Sequence, residues 1–191
     1  MMDLRQRRKV ETTRLIHEAA IRLAREQGVE AVTIEAICEA AGISQRTFFN
    51  YFPFKEAVFV LPPPPLPAEA VAKFTAGQGD LVADLIELMV AQAVEMSDSR
   101  WIGPLMQQIT EAHPRLLPLQ MAEFQKFEAQ LHDLIAGRLG GGADDVRALA
   151  LAGAIIGVGR ATFDRWRNDE KADIPARLRE SLEALLKTIR G

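Results

Sequence analysis

This 191-residue chain has only one cysteine, one tyrosine, two tryptophans and three histidines, which leaves little for thiol, phenol or imidazole chemistry. The single thiol, Cys38, cannot close an internal disulfide, and it falls among small apolar residues where a buried structural thiol is the default. His17, His113 and His132 are widely separated and show no metal-ligand spacing, so no metal site is expected. No serine or cysteine occupies a nucleophile motif, and Gly140-Gly141-Gly142 lacks the lysine and hydroxyl residue of a phosphate loop. These absences argue against an enzyme and imply no cofactor. The basic start runs into Glu11, Thr12 and Thr13 rather than into an apolar secretory stretch, and the longest apolar run, Ala148 to Gly159, is too short to span a bilayer. A cytoplasmic protein with no membrane partner is expected.

Net charge is also small, −3, which excludes a uniformly basic nucleic-acid coat and requires that any affinity for DNA come from a local patch. Such asymmetry is present. Residues 1–55 carry nine Lys or Arg against seven Asp or Glu, leaving the remainder net acidic. Arg5, Arg7, Arg8 and Lys9 cluster ahead of the first helical pattern, as a flexible arm reaching phosphates or a minor groove would.

No segment alternates apolar and polar residues for long enough to suggest a strand, whereas helical periodicity runs throughout, so an all-α fold is expected. The first helix is read over about 8–27, with Ile16, Ala20, Leu23 and Ala24 on one face and Gly28 closing it. Thr33 is placed as the N-cap of a two-turn helix ending at Gly42, and Ser44 as the N-cap of a helix over 45–51, the spacing of a helix-turn-helix. Lys55 to Leu61 begins a fourth helix that Pro62, Pro63, Pro64, Pro65 and Pro67 cannot continue. Beyond it, helices are expected near 68–75, 80–97, 100–112, 115–139, 144–169 and 175–190.

The segment Thr33-Ile34-Glu35-Ala36-Ile37, followed by Ala40-Ala41-Gly42-Ile43-Ser44-Gln45-Arg46-Thr47-Phe48-Phe49-Asn50-Tyr51-Phe52-Pro53-Phe54-Lys55-Glu56-Ala57, resembles the DNA-binding signature of the TetR family. With Ile16 to Gly28, the resemblance covers about the first third of the chain. It implies a three-helix DNA-binding head over residues 1–55 and a C-terminal helical domain over 56–191 that binds ligand and dimerises. It also implies a repressor that holds a double-stranded operator as a homodimer and responds to a small-molecule effector. Residues at the positions of Thr33, Tyr51 and Lys55 commonly sit at phosphates in such proteins. Two departures stand out: Phe54 replaces a usual small polar residue, and the proline tract shortens the fourth helix.

A recognition helix turns its polar face to the major groove and locks its apolar face onto its neighbours, the role expected of Phe48, Phe49 and Phe52. Gln45, Arg46, Thr47 and Asn50 then remain for the DNA. Arg can fork onto guanine, Gln or Asn can pair with adenine, and Thr can meet a thymine methyl or a phosphate. In the C-terminal part, Ala150, Gly153, Ala154, Gly157 and Ala161 form a small-residue seam that lets another helix approach closely. Ile174, Leu178, Leu182, Leu185, Leu186 and Ile189 make an apolar stripe on the last helix, so both helices are candidates for a four-helix dimer interface. Trp101, Met106, Phe124 and Phe127 are the candidate walls of an apolar ligand pocket, with Gln107, Gln108 or His113 as polar handles. The chain resembles an actinobacterial subset of TetR-like regulators, which implies an acyl-CoA-like or otherwise lipophilic ligand. The alternative from another class is a helical scaffold or adaptor without DNA affinity.

Overall fold

Between Leu4 and Gln27 nothing interrupts a run rich in Arg, Gln, Glu and Ala, all good helix formers, and the computed structural model forms a single helix, α1, over Leu4–Gln27. The structure describes residues 4–95, 102–166, 169 and 171–190. Helix α1 begins four residues before the expected start at 8, so the basic cluster at 5–9 belongs to the helix and is not a separate arm. Without a proline or glycine there, nothing in the sequence stops the helix from starting earlier. Gly28, at φ 82°, takes the backbone out of α1 through a left-handed conformation that a side chain would resist.

Helices α2 (Ile34–Ala41) and α3 (Gln45–Tyr51) follow. The expected fourth helix does not form as an α-helix. Lys55–Phe59 makes a 3-10 turn, and the chain then runs non-helically through the prolines until α4 begins at Ala68. Proline rings cannot donate the bonds a longer helix would need. The order continues with α4 (Ala68–Ala76), α5 (Leu81–Glu95), α6 (Ile102–Ala112), α7 (Leu117–Leu139), α8 (Val146–Trp166) and α9 (Ile174–Arg190), with no strand among the described residues. The protein is all-α.

The chain divides into two compact units, one of residues 1–61 and 105–122, the other of 62–104 and 123–191. The first is built on Ile16, Ala20, Val32, Ile37, Phe48, Phe52, Val58, Phe59, Ile109 and Leu116. His17, also buried there, donates from Nδ1 to the Val58 carbonyl at 2.5 Å and meets the Phe52 ring edge-on, which joins α1 to the 3-10 turn. At the other end of that turn Arg115 pairs with Glu56 at 2.6 Å and lies 4.1 Å from the centre of the Phe54 ring. Phe54, unusual for its position, is thus the platform for a guanidinium.

In the second unit α5 packs on α4 and α9, and α9 on α8, around Phe74, Leu85, Leu88, Leu131, Ile135, Ala152, Leu178 and Leu182. Gln92 is buried and donates to the Pro64 carbonyl at 2.6 Å, so one acceptor of the proline tract is satisfied by a side chain. Arg138 fastens the α4–α5 corner: it donates to the Phe74 carbonyl and to Asp84, each at 2.6 Å. Helix α8 as a whole reaches past the apolar run seen in the sequence. Its 21 residues are long and apolar enough to cross a membrane by length and composition, yet only 22% of its most apolar window is buried.

Candidate nucleic-acid interface

Two hydroxyl caps set the two helices of the motif. Thr33 Oγ1 accepts the Ala36 N–H at 3.1 Å and starts α2; Ser44 Oγ accepts the Thr47 N–H at 3.1 Å and starts α3. Each such cap contributes about 1 kcal/mol. Gly42 sits at φ 66° between them, and its N–H closes on the Cys38 and Glu39 carbonyls, so α2 ends in a left-handed cap that turns the chain toward α3. Cys38 is buried, and that burial, with the charge of Glu35 adding to it, pushes its thiol above its ordinary pKa.

Phe48 on α3 and Phe52 at its C-cap are four residues apart and buried, and they anchor the helix to the core. Gln45, Arg46 and Asn50 are exposed on the other side. Thr47 is half-buried, its hydroxyl 2.9 Å from Ser44 Oγ, so it serves the cap as well as facing outward. Thr33 is exposed at the start of α2, while Tyr51 is half-buried and packs against the core cluster. Lys55 Nζ lies 3.5 Å from the Val29 carbonyl, at the limit of a hydrogen bond.

Phe49 departs from expectation. It is 51% exposed and does not lock the helix, because a helix turns about 100° per residue and Phe48 already occupies the inward position. Sequence reasoning also missed Glu35. Its carboxylate accepts the Gln45 Nε2 at 3.1 Å, and since a carboxylate can only accept, the carboxamide nitrogen is turned toward α2. Polar pairs between positions ten apart follow no helical period, so only the fold reveals this one.

The ligand-wall candidates are placed separately. Met106 is partly buried against the core of the first unit and Phe127 is buried in the core of the second, with Phe124 half-buried. Trp101 lies outside the described residues. Gln108 and His113 line an open cleft of about 270 Å³ in the first unit together with Gly28, Val29, Glu30, Leu105, Ile109 and Ala112.

Two capped short helices, a buried aromatic anchor and an outward polar face make a helix-turn-helix, and comparison with known proteins agrees. Residues 16–60 match the family described as bacterial regulatory proteins, tetR family, and residues 82–190, more than half of the chain, match the MftR C-terminal domain. The chain belongs to the TetR family. It is 28% identical over 197 residues to the HTH-type transcriptional regulator TcmR of Streptomyces glaucescens, covering 98% of this chain and 86% of that one. Among solved structures, Thermus thermophilus FadR, a TetR-family transcriptional repressor in complex with lauroyl-CoA, aligns with a TM-score of 0.58 and 24% identity over 91% of this chain and 93% of its own. A TetR transcriptional regulator from Rhodococcus sp. RHA1 aligns with a TM-score of 0.60 and 17% identity over 94% and 98%. This protein is therefore a TetR-family transcriptional regulator rather than an enzyme or a scaffold without DNA affinity. Members of the family are soluble proteins that bind DNA operators as dimers and often respond to small molecules.

Within the regulator's head, reading and positioning residues should separate. Arg46→Ala is expected to weaken specific binding by about 1–3 kcal/mol and to relax preference at one base position. Lys55→Ala should weaken all sequences alike and lower the salt slope by about one. Anisotropy titrations on matched and mismatched duplexes at several salt concentrations measure both; equal, sequence-independent losses would abolish the distinction.

Proposed function

We propose that this TetR-family regulator is a cytoplasmic repressor. In this reading residues 1–55 hold a near-palindromic operator, and residues 56–191 dimerise and bind a small lipophilic effector that releases the DNA. The observation that carries the DNA-binding half is the exposed row of Gln45, Arg46 and Asn50 on a helix anchored by Phe48 and Phe52. Thr33, Thr47, Tyr51 and Lys55 complete the contact set.

Dimerisation through α8 is supported by its outward face. Val146 and Leu149 are 73% and 59% exposed, and Ala150, Gly153, Ala154, Gly157 and Ala161 are exposed beside them. An apolar face of this kind on a soluble protein needs a cover, and a second copy pairing the same face on itself supplies it. On the α9 stripe Leu178 and Leu182 are buried inside the protomer while Ile189 is 71% exposed, so α8 and the C-terminal end of α9 would share the contact. Two recognition helices would then meet successive major grooves about 34 Å apart.

A lipophilic effector is supported by the lauroyl-CoA held in the fold-related FadR, and the sequence candidates Met106, Phe124 and Phe127 are not gathered into one wall. Release requires that the effector prefer the arrangement that cannot bind DNA. A hundredfold drop in operator affinity needs about 2.7 kcal/mol of preference, which the burial of a few methylenes at about 0.8 kcal/mol each can supply. Adding fatty acids, acyl-CoAs, unrelated apolar drugs and polar metabolites to the operator-bound full chain tests this. Acyl-CoAs or other apolar compounds are expected to lower anisotropy. Release by polar metabolites alone would overturn the lipophilic reading and leave the repressor reading standing.

A further inference from the structure

We propose that Phe49 reads sequence, packing its ring against the C5-methyl group of a thymine in the major groove. The proposal rests on the reading of α3 as the recognition helix and adds a base-discriminating residue to it. Phe49 lies four residues after Gln45 and three after Arg46, so its side chain emerges on the arc between theirs and faces whatever they face. All three are exposed.

A phenyl ring held in water on an otherwise polar face is unfavourable for the free protein, and here it is also held still. The Phe49 ring meets Phe48 edge-to-face, with centroids 5.6 Å apart and planes at 88°, and Phe48 itself is fully buried. The exposed ring is therefore braced by the core and loses little freedom on binding. Chemistry narrows the partner. Phe has no hydroxyl and no donor, so it cannot hold a phosphate oxygen. Among the four bases, only thymine offers a methyl group in the major groove, and an apolar side chain is its natural contact.

The test begins with duplexes selected by the full-length chain from a random library. Each thymine of the selected site is then replaced singly by deoxyuridine, which keeps the base pair and removes only the methyl group. Wild-type protein is expected to lose about fourfold in affinity at one thymine of each half-site, the effect of one methyl-sized burial, and about fifteenfold when both half-sites are changed. Phe49→Ala should bind the thymine duplex with that same loss and show no further loss on the deoxyuridine duplex, while its Tm falls by no more than about 6 °C, the loss of one edge-to-face pair at a half-exposed site. Indifference of the wild type to every replacement, or a Phe49→Ala variant that still discriminates thymine from deoxyuridine, would overturn the proposal and leave operator binding intact. A wild-type chain that selects no sequence would overturn it together with the operator reading on which it rests.

Discussion

Gly157→Leu is expected to convert the dimer to a monomer and to lower operator affinity by at least about a hundredfold, because one head must then bind without the second tethered beside it. Gly157 is well suited to the test. Gly157 is exposed and a Cβ built there meets nothing within 4 Å, so the protomer itself does not oppose the first atom of a side chain. Leucine is also the better helix former by about 0.5–1 kcal/mol, so the isolated subunit should be no less stable. Any loss of assembly must then come from the partner's surface, where a close helix approach leaves no space for the branched side chain. Sedimentation velocity and thermal unfolding together decide the matter. A dimer that persists undisturbed would remove Gly157 from the seam and with it the α8 interface.

The second large effect concerns stability. Arg138 has a side chain only 7% exposed, and it donates to Asp84 and the Phe74 carbonyl at 2.6 Å and to the Gly79 carbonyl at 3.3 Å, with Phe74 5.2 Å beneath the guanidinium. Arg138→Met keeps most of the volume and removes every donor. Breaking a buried pair from one side costs about 3–5 kcal/mol, and because Asp84 is 31% exposed the lower end is expected, near 3 kcal/mol. That corresponds to a fall of roughly 6–12 °C in Tm for a chain of this size. Asp84→Asn, which leaves an acceptor in place, should cost less. Urea unfolding measures both, and a change under about 1 kcal/mol for Arg138→Met would mean that water replaces the guanidinium without penalty.

What the sequence makes legible here is local chemistry. Thr33 and Ser44 are recognisable as caps because a cap acts within three residues, and Gly28 and Gly42 because a left-handed turn asks for glycine whatever surrounds it. The exposure of Phe49 is not legible in this way: residue type predicts burial only on average, while the helix admits just one of two adjacent aromatics to its inner face. The pairs Glu35–Gln45 and Glu56–Arg115, and the packing of residues 105–122 with the head, join positions whose separation follows no period. Nothing local announces them. The proline tract is legible as a helix stop, yet the tie of Pro64 to Gln92, 28 residues on, is likewise a product of the fold.

The Glu35–Gln45 hydrogen bond bears on how such a head can be re-engineered. Gln45 presents its carboxamide in an orientation set from α2, so the α3 segment does not carry its own meaning intact when cut out and placed elsewhere. A chimera built by swapping residues 44–52 into a homologous scaffold would inherit the letters of the code without the grammar that orders them. With Gln45 in its proposed role, the transferable unit of recognition is a pair of helices, and its shortest continuous form runs from the cap at Thr33 to the anchor at Phe52.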